Sequence, residues 1–210
     1  MENPIGFDFI RPQLGWTVEA DGRCKHQSAY RLQVAASHSF EKPLFDSGKV
    51  YSDQSVAVRL EMPLAACTRY FWRVKIWDET DEASEWSDAA CFETARFGAE
   101  WTAEWIGWDK EFPQLRRDFT VKKALRAARA YACGVGLYTL FVNGEKAGNE
   151  YLAPGFNAYD SWLQYQTYDI TELLRRGENS VGAWLGNGYY KGRVNWPEIG
   201  RRDKIYGDRL

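Results

Sequence analysis

The sequence predicts an all-β protein built from two β-sandwich domains, and three observations carry that prediction. Apolar residues recur with period two in several short runs. An Asn-Gly pair stands between two strand-like segments. Aromatic residues make up 16% of the 210 residues, ten of them Trp, an enrichment common in β-sandwiches and in proteins that stack rings on sugars. The length suits two ordinary β domains. A boundary is expected near Phe97, inside the short linker ARFGAE, giving domains 1–97 and 98–210.

In the first domain, SAYRLQVAAS alternates from Ser28, with Tyr30, Leu32, Val34 and Ala36 on one face. The run SVAVRLEM directs Val56, Val58 and Leu60 inward. RYFWRVKIWD sets Tyr70, Trp72, Val74 and Ile76 against Phe71, Arg73 and Lys75, which makes Trp72 a core residue. Residues 78–88, DETDEASEWSD, bring six carboxylates. They lack the ligand order and the obligatory glycine of a calcium-binding EF-hand loop, so the segment reads as a solvated hairpin loop. Trp86 then re-enters the fold, and CFET closes the domain as a last short strand.

WTAEWIGW opens the second apolar pattern. KKALRAARA favours helix by composition, yet Val142-Asn143-Gly144-Glu145 is a type I′ hairpin signal, whose twist matches flanking strands. Strand is therefore extended back through Tyr131, against local propensity. YDITELLRRGENSVGAWL reads as turn, short helix, turn and strand. Asp169 or Thr171 caps the helix, Leu173 and Leu174 pack, and Gly177 follows its end. Val181, Ala183 and Leu185 then face the core, with Trp184 on the opposite face. RRDKIYGDRL starts a further strand, so the second sandwich is expected to be C-terminally truncated.

The formal charge of −2, with Lys and Arg dispersed, argues against nucleic acid even though YYKGRVNW interleaves basic and aromatic residues locally. No run approaches the eighteen or so apolar residues of a membrane-spanning helix, and MENPIGFDFIRP lacks the order of a secretory leader. No membrane partner and a cytoplasmic location are the expectations. Cys24, Cys67, Cys91 and Cys133 show no CxxC spacing and read as free thiols. Cys24, His26 and His38 give neither a four-ligand zinc set nor a shaped catalytic dyad. GVG at 134–136 leads from strand to strand rather than into a helix, which excludes a phosphate-binding loop.

Two segments concentrate ring and polar side chains. Asn157, Tyr159, Asp160, Trp162 and Gln164 share one loop; Asn187, Tyr189, Tyr190, Arg193 and Trp196 share another, LGNGYYKGRVNW. A sugar needs this combination, an aromatic platform for its apolar face and amide, carboxylate or guanidinium partners for its hydroxyls. Buried protein interfaces enrich the same residue types, and both readings stand at this point.

The order ARAYACGVGLYTLFVNGEKAG, then LAPGFNAYDSWLQYQTYDITELLRRGENSVGAWLGNGYYKGR, resembles the N-terminal β-sandwich module of bacterial α-L-rhamnosidases, glycoside hydrolase family 78. LFDSGKV, RYFWRVKIWD and SEWSDAACFET are similar to the fibronectin-III-like domain that precedes it in those enzymes. The resemblance implies an immunoglobulin-like sandwich followed by a jelly-roll-like one, and a C-terminal (α/α)6 barrel of the same polypeptide as partner. It also implies rhamnose-containing glycosides as substrates of the whole enzyme. Inversion needs two carboxyls roughly 6.5–9.5 Å apart, which in the family belong to the barrel. This sequence contains nothing of the barrel and is expected to hydrolyse nothing. By the same resemblance the ten loop residues above are candidates for contact with rhamnose or with the barrel. A calcium ion accompanying the sugar is the one cofactor it suggests.

Overall fold

The computed structural model describes residues 3–6, 8, 11–21, 25–109, 112–191 and 206. The chain divides into two compact units, Met1–Glu100 and Trp101–Leu210. Among the described residues nearly all regular structure is antiparallel strand, with a single four-residue helix.

The first unit holds β1 (Gln13–Leu14), β2 (Gln27–Ala35), β3 (Phe45–Asp46), β4 (Val50–Tyr51), β5 (Val58–Arg59), β6 (Arg69–Asp78) and β7 (Ala90–Glu93). β1 pairs with β5; the larger sheet runs β3-β2-β6-β7, with β4 also on β2. Leu14, Leu32, Val34, Leu60, Tyr70 and Phe92 form the core between them, with Tyr30 and Trp72 packed against it. The long strands arise where alternation is sustained and β-branched and aromatic residues dominate. Two expectations fail at strand ends. Ala36 is exposed just beyond β2. Val56 is 72% exposed, because Ala57 takes a left-handed φ of 57° and the strand begins only at Val58, whose side chain points inward.

The outer face of β2 is also closed: Ala29, Gln33 and Ala35 are buried there. Arg73 supplies much of the cover, with its guanidinium 4.4 Å from the Phe40 ring centre and 4.3 Å from that of Trp86. It donates two hydrogen bonds to Gln33 Oε1. Trp86 thus re-enters the fold as expected, held by Ser84 and Ser87, whose hydroxyls accept the β6 amides of Ile76 and Val74. The acidic loop before it is spent locally. Asp78 Oδ1 accepts the amides of Thr80 and Glu82, while Glu79 and Asp81 pair with Lys25 and Lys49.

The second unit holds β8 (Gln114–Val121), β9 (Arg129–Cys133), β10 (Leu137–Val142), β11 (Glu145–Lys146), β12 (Tyr165–Asp169), β13 (Gly177–Gly186) and α1 (Gly188–Lys191). One sheet is ordered β11-β10-β13-β8, the other β12-β9. The Asn-Gly hairpin forms as predicted, with Val142 opposite Glu145 and Asn143 and Gly144 at φ 52° and 87°. Strand also extends back through Tyr131, as β9 from Arg129, and 122–128 form no helix; GVG then separates β9 from β10, which lie in different sheets. Tyr138, Leu140 and Val142 of β10 pack with Ala153, Tyr168 and Ile170 into the core, backed by Leu173, Leu174, Val181 and Leu185. Trp184, on the opposite face, meets Phe141 at 4.8 Å between ring centres.

The expected helix between β12 and β13 is a turn instead. Only seven residues separate the strands, too few for a stable helix, and side chains tie them off first. Asp169 Oδ1 accepts the Thr171 amide. Asn179, 3% exposed, accepts from the Arg175 amide and donates to the carbonyls of Arg175 and Gly177. The predicted strand at 201–210 lies outside the described residues, apart from Tyr206.

Candidate functional site

The GNG of the second loop has a steric cause. Gly188 has φ 53°, and a Cβ there would stand 2.9 Å from Leu137 Cγ and 3.0 Å from the Leu137 amide nitrogen. Only glycine lets the chain turn back this closely after β13. The turn carries Tyr189 and Tyr190 onto the first loop. Tyr189 meets Phe156 edge-on at 5.4 Å and Tyr190 meets Tyr159 at 5.3 Å. Tyr159 also touches Phe156 and Tyr206. Burial, followed by the neighbouring Tyr206, pushes the Tyr159 hydroxyl above its ordinary pKa.

Of the ten candidate residues, the structure therefore joins Tyr159, Tyr189 and Tyr190 in one cluster. Asn157 is fully buried, and its Oδ1 accepts the Gln164 amide at 2.9 Å, closing the base of the first loop. Its Nδ2 has no hydrogen-bond partner, nor does the buried Oδ1 of Asn187. Asp160, Trp162 and Gln164 have exposed side chains outside the ring contacts. Arg193 and Trp196 lie outside the described residues. Among the described residues no group of three or more His, Cys, Asp and Glu side chains converges as a metal-ligand set, and Asp160 belongs to none.

Sequence reasoning passed over Phe156 and Tyr206, although aromatic spacing beside Tyr159 was the available signal. It also passed over a second feature. Between the two sheets of this unit lies an open cleft of about 550 Å³, lined by Trp101, Trp105 and Ile106, by Leu115, Val181 and Ala183 of the larger sheet, and by Tyr131 and Tyr165 of the smaller. Trp105 and Ile106 are 66% and 73% exposed. Cys133 also lines it, and burial pushes that thiol's pKa up. Deeper in, Tyr138 donates to Gln166 Oε1 at 2.6 Å and accepts from Tyr168; burial raises its pKa well beyond the usual tyrosine range.

Fold and site together define a tandem β-sandwich protein whose second sandwich gathers its aromatic loops into one cluster. Residues 1–98 match the family model described as "Rha78A-like, N-terminal immunoglobulin domain", and residues 123–210 match "Alpha-L-rhamnosidase N-terminal domain". An α-L-rhamnosidase of Formosa agariphila is 34% identical over 98% of this chain and 25% of its own length. One of Streptomyces avermitilis is 42% identical over 92% of this chain and 36% of its own. Among solved structures, α-L-rhamnosidase from Dictyoglumus thermophilum superposes with a TM-score of 0.83 at 31% identity, over 90% of this chain and 24% of that one. The native enzyme from Aspergillus terreus gives 0.85 at 27% identity, over 99% and 25%. The chain belongs to the α-L-rhamnosidase family and corresponds to its two N-terminal domains. It spans about a quarter of the length of the first curated relatives it matches.

Proposed function

We propose that this chain is the non-catalytic N-terminal part of an α-L-rhamnosidase, which supports the enzyme's catalytic domain. In the whole polypeptide that domain would cleave terminal α-L-rhamnosyl linkages with inversion. The observation that carries this reading is the match of both units to N-terminal domains of relatives about four times the matched length. The loop cluster fits a supporting role. Its rings meet edge to face and Tyr159 is half-buried among them, so they brace one another more than they offer a flat platform. Assay of the chain alone against an aryl α-L-rhamnoside tests the reading: no hydrolysis above buffer is expected, and turnover by the purified chain would overturn it.

Direct recognition of rhamnose is a second reading, favoured by one observation. Phe156 and Tyr189, in edge contact with each other, both keep exposed rings on which the apolar face of a sugar could lie. Calorimetric titration with L-rhamnose, with calcium and again with chelator, separates the two readings. Saturable heat lost in Tyr190→Ala establishes recognition; silence from a folded sample leaves support alone.

A further inference from the structure

Side-chain burial in the larger sheet of the second unit falls steadily across its strands. On β10, Tyr138, Leu140 and Val142 are buried; on β13, Val181, Ala183 and Leu185 are half-buried; on β8, Leu115, Phe119 and Val121 are only half-buried and the residues between them are exposed. The register places Leu115 opposite Ala183, Arg117 opposite Val181 and Phe119 opposite Asn179, so these residues share the face that looks toward the smaller sheet, with Arg117 its one exposed charge on β8. That sheet has two strands against four. It covers β10 and leaves the β13–β8 side open, and the open side is the 550 Å³ cleft. The cleft is thus the continuation of a hydrophobic core, flanked by Trp105 and Ile106, whose apolar side chains face solvent. Inner faces of stacked sheets normally interdigitate across about 10 Å and exclude water.

We infer that this cleft is the seat of an extended, apolar-alternating stretch of the same enzyme's polypeptide, drawn from outside residues 1–210, which completes the core over β8 and β13. The inference rests on the supporting role proposed above. The relatives supply the occupant's source, because the matched region is only about a quarter of their length. An extended strand fits the space for a chemical reason: alternate side chains enter between the sheets while its backbone groups remain at the rim for pairing. The lining is mainly apolar, with Glu104, Arg116 and Arg117 as its charged members, so it suits alternating apolar side chains better than a ring of hydroxyls.

The test mixes the 210-residue chain, with Cys24, Cys67 and Cys91 changed to Ser, with the Formosa agariphila relative from which the matched quarter is deleted. Sedimentation velocity reads the complex, and a thiol-reactive dye reads access to Cys133. A complex in which Cys133 labels at least ten-fold more slowly is expected. Ile106→Lys, at an exposed position, should weaken that complex at least ten-fold without changing the chain's own melting. A complex with unchanged labelling overturns the inference and leaves the supporting role intact; no complex overturns both. The chain alone should also enhance the fluorescence of an apolar dye such as ANS. Absence of enhancement means that its own residues already fill the cleft, and protection of Cys133 that grows with chain concentration means that a second copy does. Either result overturns the inference.

Discussion

The two sandwiches solve the same packing problem to different degrees. In the first unit β2 is buried on both faces: Leu32 and Val34 in the core, Ala29, Gln33 and Ala35 on the other side, where Gln33 accepts from the Arg73 guanidinium that stacks on Phe40 and Trp86. In the second, β10 is sealed while β8 shows half-buried Leu115 and Phe119 to an open cleft. The contrast teaches that a sheet's inner face is not a core until something covers it. The same alternation of apolar residues therefore carries different energetic weight in the two halves.

The largest expected effect tests that contrast directly. Leu32→Ala removes a side chain that is 1% exposed from a closed core, and should cost about 2–5 kcal/mol through lost transfer energy and a residual cavity. Leu115→Ala, on the open face, should cost under about 1 kcal/mol, because its side chain leaves water only in part. Urea unfolding followed by hydrogen exchange within each unit reads both. Equal costs would erase the distinction between sealed and open sheets.

Next comes the closed end of the second unit, where polar groups do the holding. Asn179 exchanges hydrogen bonds with Asn143, the Arg175 amide and carbonyl, and the Gly177 carbonyl. Asn179→Ala strands several of those groups in a buried turn, at roughly 1–3 kcal/mol or more. The same urea titration should show the second unit melting first. Asn179→Asp keeps the acceptor but loses both donor bonds, and should recover only part of the loss.

The legible and illegible features of the sequence divide along the same line. Alternation located β2 and β6, and Asn143-Gly144 located β10 and its hairpin, because strand period and turn geometry are written locally. The short helix expected between Asp169 and Gly177 does not form, because seven residues are too few for it and Asn179 takes the Arg175 amide that a helix would use. Val56 misled because a single left-handed residue, Ala57, delays the strand. At the site, residue types marked the two loops, but not which rings would meet. The partnering of Tyr159 with Tyr190 and of Phe156 with Tyr189 depends on the close pass of Gly188 over Leu137. The cleft was invisible because its walls, read singly, are ordinary core residues.

Gly188 supplies a smaller test on the loop side of the second unit. Gly188→Ala introduces a Cβ at 2.9 Å from Leu137 Cγ on a left-handed backbone. It should destabilise by somewhat over about 1 kcal/mol and separate Tyr190 from Tyr159. Loss of the near-ultraviolet dichroism of the tyrosines, with the melting of the first unit unchanged, is the expected signature. An unchanged spectrum would mean that the cluster is held by the first loop alone.

The smallest effect returns to the first unit, at the edge of its sealed sheet. Asp46, in LFDSGKV, accepts two bonds from Arg31, at 2.8 and 2.6 Å, one from Gln33 and one from the Gly48 amide. The Arg31 guanidinium, aided by those donors, holds its carboxyl well below the usual carboxylate range. A depressed folded-state pKa places the stabilisation above the unfolded value of about 4 and removes it as pH falls below that value. The first unit should therefore weaken below about pH 4 in step with Asp46 protonation. Because the pair is partly solvated, the loss is discounted to about 0.5–1 kcal/mol. Asp46→Asn should lower stability at pH 7 by that amount and flatten the acid limb of the first unit while leaving that of the second in place. An acid limb as steep in Asp46→Asn as in the parent chain would remove Asp46 as the source of the acid sensitivity.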